Sequence, residues 1–181
     1  MDTTQLLERA TAHHLAGEFG HARELYERAL AIAPDDANVM FRLGVLDMQG
    51  GAYDAALHWL EAALKRAPEN ARYHFVRGQV FAAAQRFTDA IDAYLQALSF
   101  EANSTDTLFA LAAALQSVGE SAAAIETYTS LLALEPTHVD ALNNLGNCYR
   151  QQGDVHEAEA AYRRAIAALN ACAASSRDPD S

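Results

Sequence analysis

Ala22-Arg23-Glu24-Leu25-Tyr26-Glu27-Arg28-Ala29-Leu30-Ala31-Ile32-Ala33-Pro34 decides the fold, because its marks return every 34 residues. The alanine recurs at Ala56, Ala90, Ala124 and Ala158, and the aromatic four places on recurs as Leu60, Tyr94, Tyr128 and Tyr162. The next layer is Ala29, Ala63, Ala97, Leu131 and Ala165, followed by Leu30, Leu64, Leu98, Leu132 and Ile166. The period closes on Pro34, Pro68, Ala102, Pro136 and Asn170. Five copies keep this register without an insertion, which is the sequence mark of a stacked-repeat architecture. Alanine is abundant throughout, prolines and glycines are few, and strands are not expected.

With the proline site counted as position 32, the copies begin at Thr3, Ala37, Ala71, Thr105 and Val139. Position 8 holds Ala10, Gly44, Gly78, Ala112 and Gly146, where two helices cross and a larger side chain would push them apart. Position 15 holds Gly17, Gly51, Gly119 and Gly153, suited to end the first helix in a left-handed conformation. The third copy has Gln85 there and must turn at a steric cost. Asp54 and Thr88 stand where second helices are expected to begin and can cap them by accepting from the free backbone N–H groups, as Asp36, Asn70 and Ser104 can for first helices. Proline disfavours helix in the residue before it and so punctuates the repeat.

These marks resemble the tetratricopeptide repeat family over residues 3–170. The resemblance implies an all-α, right-handed superhelical solenoid of five helix-turn-helix hairpins, 3–36, 37–70, 71–104, 105–138 and 139–170, followed by an extended helix end and a disordered polar tail over 171–181. The first copy is degenerate, with Arg9 and His13 where leucine and an aromatic are the rule, as expected of a cap facing water. No amphipathic capping helix follows the fifth copy. Apolar surface near Tyr162, Ile166 and Leu169 is therefore expected to lie open and to support weak self-association.

The net charge of −11 excludes a polyphosphate partner, and no cluster of Lys and Arg offers a footprint for nucleic acid or anionic lipid. Residues 87–149 contain no Lys or Arg but eight carboxylates, Asp89, Asp92, Glu101, Asp106, Glu120, Glu126, Glu135 and Asp140: a solvated acidic face, with an electrostatic preference for a basic partner as the alternative. No signal segment or membrane-length apolar run is present, and Cys148 and Cys172 lack CxxC clustering, so a cytoplasmic protein is expected.

No phosphate loop, nucleophile elbow or HExxH helix occurs, and no catalytic residue or cofactor is expected. His13, His14 and His21 fall within one hairpin, but their spacing does not set three donors on one face, and no metal site is expected.

The family resemblance places the function in the concave groove lined by first helices. Position 5 there reads Leu7, Phe41, Phe75, Phe109 and Asn143, a row of three phenylalanines expected as an apolar ladder for a partner, with packing between helices as the alternative. Around it stand Arg42, Arg72, Gln79, Asn143, Asn144 and Asn147. The arginines could fork onto a carboxylate. The run Ala141-Leu142-Asn143-Asn144-Leu145-Gly146-Asn147 is similar to repeats of O-linked N-acetylglucosamine transferases, whose position-6 asparagines hold a peptide backbone. Only Asn144 matches, since the other copies carry Glu8, Arg42, Val76 and Ala110. The clamp that co-chaperone repeats use for acidic tails is not matched, because position 5 lacks its lysine in every copy, and this disfavours chaperone-tail binding. The expected function is a protein-interaction scaffold that holds a peptide or helical segment of a protein partner. The alternatives are a substrate-recruiting module of a larger enzyme such as a glycosyltransferase, or a small acidic secretion chaperone.

Overall fold

The computed structural model describes residues 2–175, which form ten α-helices and, among these residues, no strand. The helices are α1 (Thr3–Leu15), α2 (Phe19–Ile32), α3 (Ala37–Gln49), α4 (Tyr53–Arg66), α5 (Ala71–Ala83), α6 (Phe87–Phe100), α7 (Thr105–Ser117), α8 (Ser121–Leu134), α9 (Val139–Gln152) and α10 (Val155–Ser175). They gather into two compact units, one ending at Arg86 and the other beginning at Phe87. The last helix runs on through Ala171-Cys172-Ala173-Ala174 to Ser175, and the polar tail read from sequence lies outside the described residues.

In the first unit α1 packs on α2, α2 on α3, α3 on α4 and α4 on α5. First helices start where a side chain can take an unpaired backbone N–H: Asp36 accepts from the Asn38 and Val39 nitrogens, and Asn70 accepts from that of Tyr73. Asp2 and Gln5 form a reciprocal capping box on α1. Second helices start differently. The residue before α4 is Ala52, which makes no side-chain cap, so Asp54 lies inside the first turn, where its charge favours the helix dipole. Thr88 likewise lies inside α6, which begins at Phe87. The expectation that these two residues cap the second helices is corrected: each helix starts earlier than that role requires, so Asp54 and Thr88 fall inside the first turn and not before it.

Gly17 and Gly51 take φ of +76° and +75°, and Gln85 is the one non-glycine with positive φ among the described residues, at +61°. The core joins Leu6, Ala22, Tyr26, Val39 and Leu43 to Phe41, Ala56, Leu60, Tyr73 and Val80 through residues such as Leu30 and Trp59, which pack on both groups. A Cβ placed on Gly44 would come within 3.0 Å of Leu60 Cγ and 3.2 Å of the Ala56 carbonyl oxygen, so the α3–α4 crossing would have to give by a few tenths of an ångström to take a side chain. Asp47, 4% exposed, is held by the Arg23 guanidinium reaching across from α2.

In the second unit α6 packs on α7, and α7, α8, α9 and α10 pack in succession. Ser104 caps α7 through the Thr107 nitrogen, and His138 caps α9 by accepting the Ala141 N–H at its Nδ1, 3.2 Å away. Ala112, Tyr128, Leu131, Leu142, Leu145 and Cys148 form the centre of its core. At Gly146 an added Cβ would lie 2.5 Å from Tyr162 Cε1, a closer contact than at Gly44. Ile166 and Leu169 remain 58% and 53% exposed on α10.

Candidate functional site

In the first unit the candidate residues sit on α3 and α5, which touch each other directly. Phe41 is 5% exposed, which corrects the expectation of an open ring at this rung. Tyr73 of α5 stacks on it, with centroids 4.7 Å apart and planes 18° from parallel, and the Arg72 guanidinium lies 5.2 Å from its ring centre. The ring surface that a partner could have used is spent on packing and a cation–π contact. Burial, and then the Asp36 carboxylate, push the Tyr73 phenol above its ordinary range, while Arg72 and Arg42 pull it down.

Arg42 is half-buried and already engaged. Its Nη1 donates to Thr11 Oγ1 at 2.9 Å and its Nε to Asn38 Oδ1 at 3.2 Å. It borders a cavity of about 380 Å³ with Thr4, Leu7, Glu8 and Thr11. Arg72 is exposed, and Phe75 and Gln79 are half-buried further along α5.

In the second unit Phe109 of α7 keeps part of its ring open. The His138 imidazole stacks on it at 5.3 Å and the Tyr128 ring meets it edge-on at 6.0 Å. On α9 Asn143 is exposed, and Asn144 and Asn147 are half-buried. Asn144 Nδ2 donates to the Tyr128 hydroxyl at 3.2 Å, and the Tyr162 hydroxyl donates to Asn147 Oδ1 at 2.8 Å. Each tyrosine thus fixes one asparagine and leaves the other half of its amide, the Asn144 carbonyl and the Asn147 NH2, for another molecule. Burial pushes the Tyr128 phenol up to about 12, partly offset by the Asn144 bond, so it stays a neutral hydroxyl at any ordinary pH. A cavity of about 350 Å³ beside Asn143 is lined by Val139, Tyr162, Ala165, Ile166 and Leu169.

Sequence reasoning missed a second groove of about 400 Å³ on the second-helix side of this unit, between Leu132 and Ala133 of α8, Tyr149 of α9, and Ala161 and Arg164 of α10. Its signal was the small residues Ala133, Ala160 and Ala161, which leave room between helices. His138 was missed as well. It lies at the end of the fourth copy, outside the first-helix positions from which the groove was read.

Models of the tetratricopeptide repeat match residues 13–80 and 109–175. Among curated proteins the chain is 27% identical to Superkiller complex protein 3 of Mus musculus over 114 residues, 63% of this chain and 7% of that one. It is 38% identical over 74 residues to the photosystem I assembly protein Ycf3 of Synechococcus sp. (strain CC9605), 39% of this chain and 43% of that one. The chain thus spans well under two thirds of either relative. Among solved structures, MamA superposes with a TM-score of 0.86 at 22% identity, over 91% of this chain and 96% of the other. YrrB, described as a TPR protein with an unusual peptide-binding site, gives 0.79 at 22% identity, over 92% and 86%. At these identities the likeness speaks for the fold alone. Because the family matches together cover more than half of the chain and fall on the hairpins that carry the 34-residue period, the chain belongs to the tetratricopeptide repeat family.

Proposed function

We propose that the chain is a protein-binding scaffold whose first-helix surface in the second unit takes an extended segment of a partner protein, with no catalytic step of its own. The observation that carries this is the amide trio on α9. Asn143 and Asn147 are four residues apart on one helix face, and Asn144 and Asn147 are each oriented by a tyrosine hydroxyl, with donor and acceptor capacity left over. An extended peptide backbone offers N–H and C=O groups in the same alternation, and the Phe109–His138 pair supplies an apolar shelf beside it. Fixed amides lose little freedom on binding, which favours the complex. The run of 63 residues without Lys or Arg between Phe87 and Tyr149 favours a neutral or basic segment.

In the first unit, Arg72, Phe75 and Gln79 offer a separate, basic surface, while Arg42 serves its own neighbours first. YrrB is named for a peptide-binding site and Ycf3 as an assembly protein, and both names fit the reading. No helix among the described residues is long and apolar enough to cross a membrane. The open Ile166 and Leu169 side chains support weak self-association at α10.

Panning a phage-displayed random peptide library against the full chain tests the proposal. A selected peptide is expected to bind at about micromolar Kd. Asn143→Ala, which removes an exposed side chain without an intramolecular hydrogen bond, is expected to weaken it by about tenfold while the melting midpoint stays put. Failure to enrich any sequence, or binding by Asn143→Ala and Asn147→Ala that is unchanged from the parent, rejects the proposal.

A further inference from the structure

The turn of the first hairpin carries a constellation unrelated to the peptide surface. α1 ends at Leu15, Gly17 takes φ of +76° and α2 begins at Phe19, so the chain reverses within Ala16, Gly17 and Glu18. The reversal brings a carboxylate and a second imidazole back against His13. Glu18 Oε2 is in contact with His13 Nδ1, and His21 Nδ1 lies 3.9 Å from the same oxygen. The two imidazole rings are 5.4 Å apart and tilted by 44°, and the three donor atoms lie within 4.8 Å of one another.

His14, the other histidine at the end of α1, is turned away. Its Nε2 meets Gln49 Oε1 at 2.7 Å and its ring packs edge-on against Phe19. The donor that spacing failed to supply as a third histidine comes from Glu18.

The geometry suits an ion. Around tetrahedral zinc, with bonds of about 2.0–2.2 Å, neighbouring donor atoms sit roughly 3.3–3.5 Å apart, so closing this group takes a shift of about 1 Å. Glu18 and His21 are exposed, and a side-chain rotation provides it. The Glu18 carboxylate faces both imidazoles at once, so all three donors converge on one point. The arrangement also belongs to this hairpin alone. The same three positions hold Asp47, Ala52 and Ala55 in the second copy, Phe81, Arg86 and Asp89 in the third, Leu115, Glu120 and Ala123 in the fourth, and Tyr149, Asp154 and Glu157 in the fifth.

We propose that His13, Glu18 and His21 bind one divalent transition-metal ion at the turn of the first hairpin. Two imidazoles and one carboxylate select zinc, cobalt or nickel over calcium or magnesium, which prefer all-oxygen shells. The three side chains leave at least one coordination position to water, or to a ligand from another molecule. The site is independent of the α9 surface.

The test uses the untagged full chain stripped with chelator, titrated with zinc chloride by calorimetry and with cobalt chloride by visible absorption. One saturable equivalent is expected, with cobalt bands in the visible. His13→Ala and His21→Ala are each expected to weaken uptake by about tenfold or more, and His58→Ala and His156→Ala to leave it unchanged. Zinc is expected to raise the melting midpoint of the parent but not of His21→Ala, whose exposed side chain can be removed without disturbing the core. No saturable zinc uptake up to roughly 1 mM, or uptake unchanged in both histidine variants, overturns the proposal.

Discussion

Phe41 in the first unit and Phe109 in the second occupy the same position of their repeats and meet different neighbours. Above Phe41 the next first helix presents Tyr73, which lies flat on the ring. The corresponding residue after Phe109 is Ala141, which has no ring to offer, and His138, one turn earlier, covers only part of the phenylalanine. A repeat period therefore tells which residues are equivalent in backbone position. Whether an equivalent side chain is core or surface is decided by the size of one residue in the adjacent copy.

The comparison can be broken most directly at the rings themselves. Phe41→Ala is expected to cost about 3–5 kcal/mol of unfolding free energy, as for a buried phenylalanine. Phe109→Ala is expected to cost only about 1–2 kcal/mol and to weaken a selected peptide. Urea denaturation of both variants reads the difference, and equal losses would show that the two rings are in fact equivalent.

A second contrast lies at the helix crossings. Ala112 shares its core with Tyr128, whose hydroxyl meets Asn144 on the following first helix. Tyr162 has no following hairpin among the described residues; its hydroxyl turns back to Asn147 and its ring covers Gly146. Gly146→Ala is therefore expected to displace the ring and cost about 1–3 kcal/mol in denaturant, although alanine is the better helix former. A neutral or stabilising result would mean that the ring gives way freely.

The smallest change is Tyr162→Phe, which keeps the ring and removes one hydrogen bond. It is expected to cost about 0.5–1.5 kcal/mol and to loosen Asn147. Weakened peptide binding with Gly146 packing intact would separate the orienting role of the hydroxyl from the packing role of the ring. Unchanged binding would show that Asn147 needs no orientation.

The period made the paired helices legible because apolar spacing and turn glycines report local geometry. Gln85 was legible for the same reason: its position demanded a left-handed residue, and it takes φ of +61°. The starts of second helices were misread at Asp54 and Thr88, since a cap-forming residue type was taken to mark the helix start although it lies inside the helix. The site was only half legible. Asn144 stood out through the resemblance of its segment, but the two tyrosine hydroxyls that fix the amides come from α8 and α10, and a pairing between helices leaves no mark in the spacing along one of them. The burial of Phe41 and the joining of Glu18 to two histidines are likewise contacts across a turn or between copies.

The central claim is that a partner segment lies on α9 beside Phe109. Titrating a library-selected peptide into 15N-labelled protein and following the side-chain amide resonances of Asn143, Asn144 and Asn147 tests it most directly. Saturating shifts of these three NH2 groups, together with the Phe109 and His138 backbone amides, are the predicted result. Shifts confined to Leu132, Tyr149, Ala161 and Arg164 would place the peptide in the second-helix groove and contradict the account.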